Sequence, residues 1–554
     1  MRRLYLLIFA GLAATLWLAG CSNSSPDKTA SRVITTDNLA RHIKVLASDD
    51  FGGRGPSTPG EEKTIQYLKT QLQNLGLKPG NGDSYFQEVP LVEITASPDM
   101  ELKISGRGKA MHLKYRDEFI GITRRVQKKV EVKNSDLVFV GYGIVAPEYH
   151  WNDYAGLDMR GKTAVILVND PGYATKDSSL FHGKAMTYYG RWTYKYEEAA
   201  RQGAAAAIII HETGPAGYPW AVVRNSWSGP QSHLEAADKN MSRCALEAWI
   251  TLDKAKVLFK KAGLDYEKLK AAAAKPGFRP RAMGLRASVR IENKIRHSNS
   301  HNVIGLLPGT DRKDEYIIYT AHWDHFGTDP NLKGDQIFNG ALDNASGCSA
   351  VLNLAEAFAN LPKRPRRSLV FMFVTAEEQG LLGSEYYTEH PVFPLNKTIA
   401  NINIDGVDVW GKMKDITIIG FGNSELDDYA EAAAKAQGRT VRPDPEPEKG
   451  YFYRSDHFNF AKHGVPALYT DSGINSVAHG EQWTLDKIHE WTEKYYHKPS
   501  DEYDPSWWDL SGAVDDVKLL FAVGYKLSME DHYPDWRPGN EFKAIREADL
   551  AKNK

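Results

Sequence analysis

From about residue 300 the chain alternates short apolar runs with helical stretches, and this alternation constrains the fold more than any other feature. Helical stretches such as ASGCSAVLNLAEAFANL separate the apolar runs EYIIYTA, SLVFMFVT, TIANINID, DITIIGFG and VPALYT. Strands that alternate with helices usually form a buried sheet covered by those helices. We therefore predict an α/β fold with a central mixed, largely parallel sheet and helices on both faces.

The first 300 residues contain two further kinds of pattern. Residues 37–77 show helical spacing, with Ile65, Leu68, Leu72 and Leu75 on one face. Between 96 and 289 short β-rich runs such as DLVFVGYGIV and KTAVILVND dominate, followed by EEAARQGAAAAIIIHE. We predict a β-rich α+β domain at 96–289, inserted into a main domain formed by 37–95 and 290–545.

The first 21 residues have the pattern of an export signal. A basic start, MRR, precedes the apolar run LYLLIFAGLAATLW, which is too short and wrongly flanked for a spanning helix. The tetrad ending at Cys21, LAGC, resembles a bacterial lipobox, which implies cleavage before Cys21 and lipid on its sulfur. Residues 22–36 would then be a polar tether, and the protein would be exported and lipid-anchored at the bacterial cell envelope, at the periplasmic face of the outer membrane. The alternative is an ordinary cleaved signal followed by a soluble protein.

Charge and cysteine content exclude some classes of protein. The 69 basic and 70 acidic side chains give a net charge of −1 without a long block of either sign, so we expect no nucleic-acid partner. Beyond Cys21 there are only Cys244 and Cys348, far apart in sequence. We expect two buried free thiols rather than a disulfide framework.

Acidic residues and histidines follow several of the predicted strands. They occur in AHWDH, NGALDNASG, TAEEQG and NINIDG, and a later loop adds HKPSDEYD. A lone aspartate at a strand end is more often a cap or a turn residue. The carboxyl ends of strands form the functional edge of α/β sheets, so the joint placement indicates a site. The residues concerned are His322, Asp324, Asp343, Glu377, Glu378, Asp405 and His497.

Two histidines and three carboxylates form a ligand set that Zn²⁺ accepts. Five ligands are too many for one catalytic zinc, but they suit two ions that share a carboxylate and a water. We predict His322 with Asp405 on one ion, Glu378 with His497 on the other, and Asp343 as the bridge.

Glu377 and Glu378 are adjacent and therefore point in different directions, so they need different roles. We predict Glu378 as a ligand and Glu377 as the general base that faces the bridging water. Asp324 would accept the remaining N–H of the His322 imidazole and fix its tautomer.

In this order the motifs AHWDH, NGALDNASG, TAEEQGLLGS, NIDG and HKPSDEYD resemble the two-zinc aminopeptidases of peptidase family 28, which include aminopeptidase Y and glutamate carboxypeptidase. The resemblance covers residues 37–95 and 297–530. It implies the zinc-peptidase fold, two Zn²⁺ per chain and the ligand and base assignments given above. The inserted section, at VFVGYGIVAPEYHWNDYAGLDMRGKTAVILVNDPGY, is similar to the protease-associated domain, for which a lid or spacer role is preferred.

The segment YFYRSDHFNFAKHGVPALYTDSG matches the part of this family that lines the substrate pocket. Some members have there a tyrosine that polarises the scissile carbonyl, but Phe452 occupies that position and Tyr451 and Tyr453 flank it. Arg454 is an alternative donor, and Asp456 is a further candidate pocket residue. The remaining histidines, His301, His325, His463 and His479, are expected to play no part in the site.

The resemblance implies a zinc-dependent aminopeptidase that hydrolyses N-terminal residues from peptides through a metal-bridging hydroxide. Its partners would be peptides with free N-termini and, through the lipid anchor, a membrane. Alternatives are a glutamate-carboxypeptidase-like activity or a dipeptidase, and less favoured a glutaminyl cyclase or a non-catalytic binding relative. The carboxypeptidase would need arginines to clamp two carboxylates, and the pocket segment offers only Arg454.

Overall fold

A computed structural model describes residues 26–552. The predicted export signal, Cys21 and the start of the predicted tether lie outside the described residues. Between residues 26 and 552, no helix combines the length and the apolar content needed to cross a membrane. The helices are α1 Pro26–Ala30, α2 Thr36–Leu46, α3 Pro59–Asn74, α4 Pro171–Thr175, α5 Trp192–Arg201, α6 Thr213–Ala216, α7 Trp220–Ser226, α8 Leu252–Ala262, α9 Tyr266–Ala273, α10 Gly347–Ala359, α11 Leu382–Glu389, α12 Leu426–Ala436, α13 His457–Lys462, α14 Glu481–Lys494, α15 Ser511–Met529 and α16 Lys543–Ala551.

The strands form one continuous network and two short hairpins. They are β1 Lys78–Pro79, β2 Phe86–Ala96, β3 Glu101–Ser105, β4 Met111–Lys114, β5 Phe119–Ile122, β6 Lys129–Phe139, β7 Val145–Ala146, β8 Trp151–Asn152, β9 Thr163–Leu167, β10 Ala206–His211, β11 Pro230–Leu234, β12 Leu246–Thr251, β13 Arg281–Leu307, β14 Arg312–His322, β15 Gly327–Thr328, β16 Ile337–Phe338, β17 Arg367–Val374, β18 Thr398–Asn403, β19 Asp415–Ile419, β20 Thr440–Pro443 and β21 Ala467–Asp471.

The main sheet is mixed, with a parallel centre. Strands β17, β14, β18 and β21 are parallel neighbours in this order. Antiparallel pairings of β13 with β17 and of β2 with β13 extend the sheet on one side, and β19 followed by β20 extends it on the other. The predicted mixed α/β architecture is confirmed.

Helices cover both faces of this sheet because successive side chains of a strand point to opposite faces. Ile317 and Tyr319 pack into the large core that contains α10 and α15. Ile318, which lies between them, packs into a smaller core with Tyr387 of α11 and Phe460 of α13. The strands are apolar on both sides, which is why their sequences read as continuous apolar runs.

The inserted section contains the second sheet, in the order β4, β3, β13, β6, β9, β10, β12 and β5. Strand β13 belongs to both sheets. It pairs with β6 and β3 over Arg281–Glu292 and with β2 over Asn293–Val303. The predicted boundary at residue 289 therefore lies inside a strand, and no loop separates the two units there.

The inserted section packs firmly onto the main domain. Strand β11 pairs with β2 of the main sheet. The core of the inserted section also contains Phe452, Phe458, Trp536 and Phe542 of the main domain. Because one apolar core contains residues of both units, the junction is packed like the interior of a domain. Burial of each large apolar side chain there contributes roughly 1.5–3 kcal/mol to the free energy of unfolding.

The described part of the predicted tether is folded. Ala30 of α1 and Ile34 are buried in the main core. Since both side chains are apolar, their burial fixes this stretch to the main domain, and residues 30–36 do not form a polar tether. Cys244 and Cys348 are buried and unpaired, as predicted.

Candidate metal centre

The five predicted ligands lie at one edge of the main sheet. His322 ends β14, Glu378 follows β17 and Asp405 follows β18. These strands are parallel neighbours, so their carboxyl ends meet at the same edge. Asp343 lies in the turn that precedes α10, and His497 follows α14. The fold therefore collects residues that are up to 175 positions apart, from His322 to His497.

Asp343 stands between two imidazoles. Its Oδ1 lies 3.3 Å from Nε2 of His322, and its Oδ2 lies 3.2 Å from Nε2 of His497. Nε2 of His322 is also 3.0 Å from Oδ1 of Asp405, and Nε2 of His497 is 3.2 Å from Oε2 of Glu378. The five residues thus divide into two groups of three that share Asp343.

The residues present fit metal ions. Ligand atoms of His322, Asp343 and Asp405 all lie within 4.8 Å of one another, and so do those of His325, Asp343 and Glu378. Several carboxylates converge in a largely buried space, an arrangement that costs free energy unless cations neutralise it. Imidazole nitrogen and carboxylate oxygen together are donors that suit zinc.

Glu377 and Glu378 diverge as the sequence predicts for adjacent residues. Glu378 faces the imidazoles of His325 and His497. Glu377 instead has Oε2 3.9 Å from Nε2 of His322. Burial raises the pKa of Glu377 well above its usual value, while the imidazole of His322 acts in the opposite direction.

Asp324 is placed differently from the prediction. Nδ1 of His322 lies 3.2 Å from the main-chain oxygen of Asp324 but 3.8 Å from its carboxylate. The carboxylate accepts the main-chain N–H groups of Glu377 and Glu378, at 3.1 and 3.4 Å. Asp324 therefore fixes the turn that separates the two glutamates, and its main chain rather than its carboxylate is the closer partner of the imidazole.

Sequence reasoning missed three supporting residues because they act on main-chain groups or across long separations. Asp501 accepts the N–H groups of Leu342 and Asp343, each at 3.0 Å. Ser455 donates to Oδ2 of Asp405 at 2.6 Å. Arg54, which is 1% exposed, donates to the carbonyl oxygens of residues 46, 323, 339 and 340. Only Asp501 could have been noticed, since it lies four residues after His497 in the quoted motif.

Two histidines that were expected to play no part have acidic partners. Nδ1 of His325 lies 2.6 Å from Oε1 of Glu378, and His325 is fully buried. It can therefore orient Glu378 or offer a nitrogen to the same ion. Nδ1 of His301 lies 2.9 Å from Oε1 of Glu61, a partner 240 residues away that no local spacing reveals.

The predicted pocket residues do not all reach the same space. A cavity of about 420 Å³ at the centre is lined by Tyr451 and Arg454. Tyr453 lines a different cavity, at the junction with the inserted section, and its hydroxyl donates to Oε1 of Glu541 at 3.0 Å. Asp456 lines neither cavity; it is fully buried and accepts the hydroxyl of Ser384 at 2.6 Å. Its position is explained by this buried hydrogen bond.

The central cavity is mainly apolar on the side away from the carboxylates. Trp410, Ile488, Trp491 and Tyr469 contribute to its wall, and Asp471 is the acidic residue there outside the centre itself. Ile488 and Trp491 belong to α14, the helix that leads into His497. The wall offers room for an apolar side chain beside the metal ligands.

The fold and the site define an α/β protein with an imidazole–carboxylate centre that can hold metal at the edge of its sheet. Residues 302–522 match the profile of Peptidase family M28. The match begins beyond the inserted section, whose resemblance to a protease-associated domain stays a prediction.

Two curated relatives match parts of the chain. Rat "Aminopeptidase NAALADL1" is 34% identical over 138 residues, which are 24% of this chain and 17% of that protein. "Aminopeptidase YwaD" of Bacillus subtilis is 32% identical over 145 residues, 25% of this chain and 30% of that protein. The chain thus spans less than a third of the length of these relatives. Among solved structures, an aminopeptidase from Aneurinibacillus sp. strain AM-1 is 22% identical, with a TM-score of 0.49, covering 92% of this chain and 97% of that chain.

Proposed function

We propose that this protein is a zinc-dependent aminopeptidase that uses two ions per chain and removes N-terminal residues from peptides. The observation that carries the proposal is the divergence of Glu377 from Glu378 beside a shared Asp343. One glutamate joins the ligand set, and the other stays free for proton transfer. The match of residues 302–522 to Peptidase family M28 and the names of the two curated relatives support the same activity.

Bound zinc ions would lower the pKa of a water molecule and polarise the scissile carbonyl. Five residues would hold them: His322, Asp343, Glu378, Asp405 and His497. The carboxylate of Glu377 takes a proton from the attacking water and delivers it to the nitrogen of the leaving group. Its side chain is only 11% exposed and faces His322 of the centre, so it exchanges a proton there rather than with bulk water.

The central cavity would bind the N-terminal residue of the substrate. Its apolar wall, with Trp410, Ile488 and Trp491, accepts the side chain of the first residue. The carboxylates of Glu377 and Asp405 line the same cavity and attract a free α-ammonium group. Tyr451, which also lines it, would donate to the carbonyl oxygen as negative charge develops.

The test is hydrolysis of aminoacyl nitroanilides by purified protein, with and without chelator, beside N-acetylated analogues. We expect cleavage that needs a free amino group, stops on chelation and returns with zinc. Glu377→Gln should keep its zinc, measured by elemental analysis, and lose about 10²–10⁴-fold in kcat. Glu490→Gln, on the exposed face of α14, is the matched control. Activity in Glu377→Gln close to that of the control would refute the role of Glu377, and cleavage of acetylated substrates alone would refute the aminopeptidase.

We also propose, on the sequence LAGC alone, that the mature protein is lipid-anchored through Cys21 and exported to the cell envelope. Membrane fractionation of cells expressing the full chain or Cys21→Ser tests this. Release of the variant, but not of the original, into the soluble fraction is expected. Equal distribution of the two would contradict lipid attachment.

A further inference from the structure

A second cavity meets the metal centre from the side of the inserted section. Its volume is about 290 Å³, near the lower end of small-ligand pockets, which begin at roughly 300 Å³. Glu377, Glu378, His497 and Arg454 line both this cavity and the central cavity. A peptide bound at the centre can therefore extend its N-terminal residue into one cavity and its leaving part into the other.

Most charges on the wall of this second cavity are already paired. Arg124 lies 3.1 Å from Glu247, Arg243 lies 3.7 Å from Glu385, and Lys462 lies 2.9 Å from Glu197. These three pairs use every acidic residue of the wall outside the catalytic glutamates. The basic residues that remain are Arg191 and Arg454.

Arg191 and Arg454 have no carboxylate partner within the part of the chain that the structure describes. Nε of each is buried and without a hydrogen-bond partner. Arg454 donates from Nη2 to the carbonyl of Lys449, and its guanidinium lies over the ring of Tyr451. Burial and, after it, the nearby charge of Arg454 lower the pKa of Arg191 to about 10, which is still well above neutral pH. Two neighbouring positive charges therefore face one cavity without compensation.

The start of α5 adds further donors. Arg191 is its N-cap residue and makes no side-chain cap, and the first turn carries no acidic residue. Arg191, Trp192 and Thr193 all line the cavity, and the buried hydroxyl of Thr193 has no partner. The free N–H groups of a helix start attract anions.

A buried residue on another element that lines the cavity also lacks a partner. His233 of β11 is 5% exposed and lines the cavity, yet its Nε2 has no hydrogen-bond partner among residues 26–552. A buried polar nitrogen without a partner costs free energy unless a ligand or water satisfies it. The cavity therefore contains unpaired polar groups from two elements, the start of α5 and strand β11.

We propose that this second cavity binds a carboxylate on the leaving part of the substrate, through Arg191 of the inserted section and Arg454 of the main domain. Arginine pairs with carboxylates through parallel hydrogen bonds, which the two forks can provide. The small volume places the carboxylate close to the scissile bond, so the substrates are short peptides with a free C-terminus or peptides with an acidic second residue. The inserted section is then part of the substrate site. This inference rests on the proposed peptidase activity.

The test compares substrates that differ only in that carboxylate. With X as the N-terminal residue that is cleaved best from nitroanilides, kcat/KM is measured for X-Ala and X-Ala amide, and for X-Glu amide and X-Gln amide. The first pair reports an α-carboxylate, and the second reports a side-chain carboxylate. We expect at least one pair to show a preference of about tenfold or more for the charged member.

Arg191→Gln should lower kcat/KM for the charged member by roughly 10- to 100-fold, the range for one charged hydrogen bond, and so abolish most of the preference, with the change falling mainly on KM. Arg191→Lys should restore part of it. Arg160→Gln, an exposed arginine of the inserted section that pairs with Asp158, is the matched control and should keep the preference.

The outcomes separate the two proposals. Cleavage of nitroanilides without preference in either pair overturns the carboxylate site and leaves the aminopeptidase standing. Absence of any cleavage by zinc-loaded protein overturns the aminopeptidase. A preference that survives in Arg191→Gln overturns the role of Arg191. If circular dichroism shows that this variant is unfolded, Thr193→Val and the preference of the unmodified protein decide the matter.

Discussion

Replacement of Asp501 by asparagine should weaken the loop that carries the shared ligand. Asp501 is 1% exposed, and its two carboxylate oxygens accept the N–H groups of Leu342 and Asp343 at 3.0 Å each. Its main-chain oxygen accepts the N–H of Ala341, also at 3.0 Å. Three successive main-chain groups before α10 are thus held by one residue, and only two of these bonds involve the side chain.

The size of the effect follows from the change in donors. Asparagine keeps one acceptor oxygen but turns an NH₂ group towards the other main-chain N–H. One hydrogen bond to a charged group is lost, about 1.5–3 kcal/mol, and one buried N–H is left without a partner, about 1–3 kcal/mol. We expect the free energy of unfolding to fall by about 3–5 kcal/mol and zinc affinity to fall about 10- to 100-fold, because Asp343 is no longer held in place.

Urea unfolding in the presence of chelator measures the first effect, and competition with a zinc-binding dye measures the second. Glu502→Gln, at the next and exposed position, is the control and should change neither. A loss of less than about 0.5 kcal/mol, together with unchanged zinc affinity, would refute the reasoning, since it would mean that the two hydrogen bonds neither stabilise the loop nor orient Asp343.

Three further changes test other parts of the structure. Gly340 has a φ of +53°, and an added Cβ would lie 2.3 Å from the carbonyl oxygen of Asp343, so Gly340→Ala should lose more than about 1–2 kcal/mol of unfolding free energy, read from urea unfolding. Ser455→Ala removes the donor to Asp405 and should lower zinc affinity about tenfold in the same dye competition. Because the same hydroxyl accepts from Nδ2 of the buried Asn403 at 2.7 Å, the variant should also lose about 1–3 kcal/mol of unfolding free energy. The hydrogen bond that His301 donates to the carboxylate of Glu61 raises the pKa of His301 above its unfolded value. The pair therefore stabilises the fold below the unfolded pKa, and this contribution is lost as pH rises through the folded pKa. Unfolding of His301→Gln at a series of pH values should therefore show a deficit that is largest near pH 6 and shrinks above it; a constant deficit would contradict the linkage.

The sheet could be predicted because its signal is local. β14, β17 and β18 are short apolar runs, and each ends at or just before a chemically distinctive residue, His322, Glu377 or Asp405. Since parallel neighbours share an edge, the order of the motifs was enough to bring these residues together. The same argument found Asp343, because its turn directly precedes an amphipathic helix.

The junction could not be predicted in the same way. Nothing in the run Arg281–Leu307 indicates that one strand belongs to two sheets. The alternation of apolar and polar residues shows which side chains are buried, but it does not show with which strands the run pairs. Arg191 lies about 260 residues from Arg454 and in a separate sequence unit, so the pocket segment alone suggested a single arginine. Because Arg191 lines the same cavity as Arg454, the single arginine of the pocket segment no longer argues against substrates with a carboxylate on the leaving part.

The supporting residues of the metal centre share one physical property that explains why motifs conceal them. Asp324 and Asp501 accept main-chain N–H groups, and Arg54 donates to main-chain carbonyl oxygens. A main-chain group has the same chemistry at every position. The type of a residue therefore does not show which side chain binds its main-chain N–H or carbonyl group. Buried charges of this kind are costly unless every hydrogen bond is made, and here they are made to the loops that carry His322, Asp343 and Glu377. The centre is therefore positioned before any ion binds, and the free energy of zinc binding need not be spent on ordering those loops.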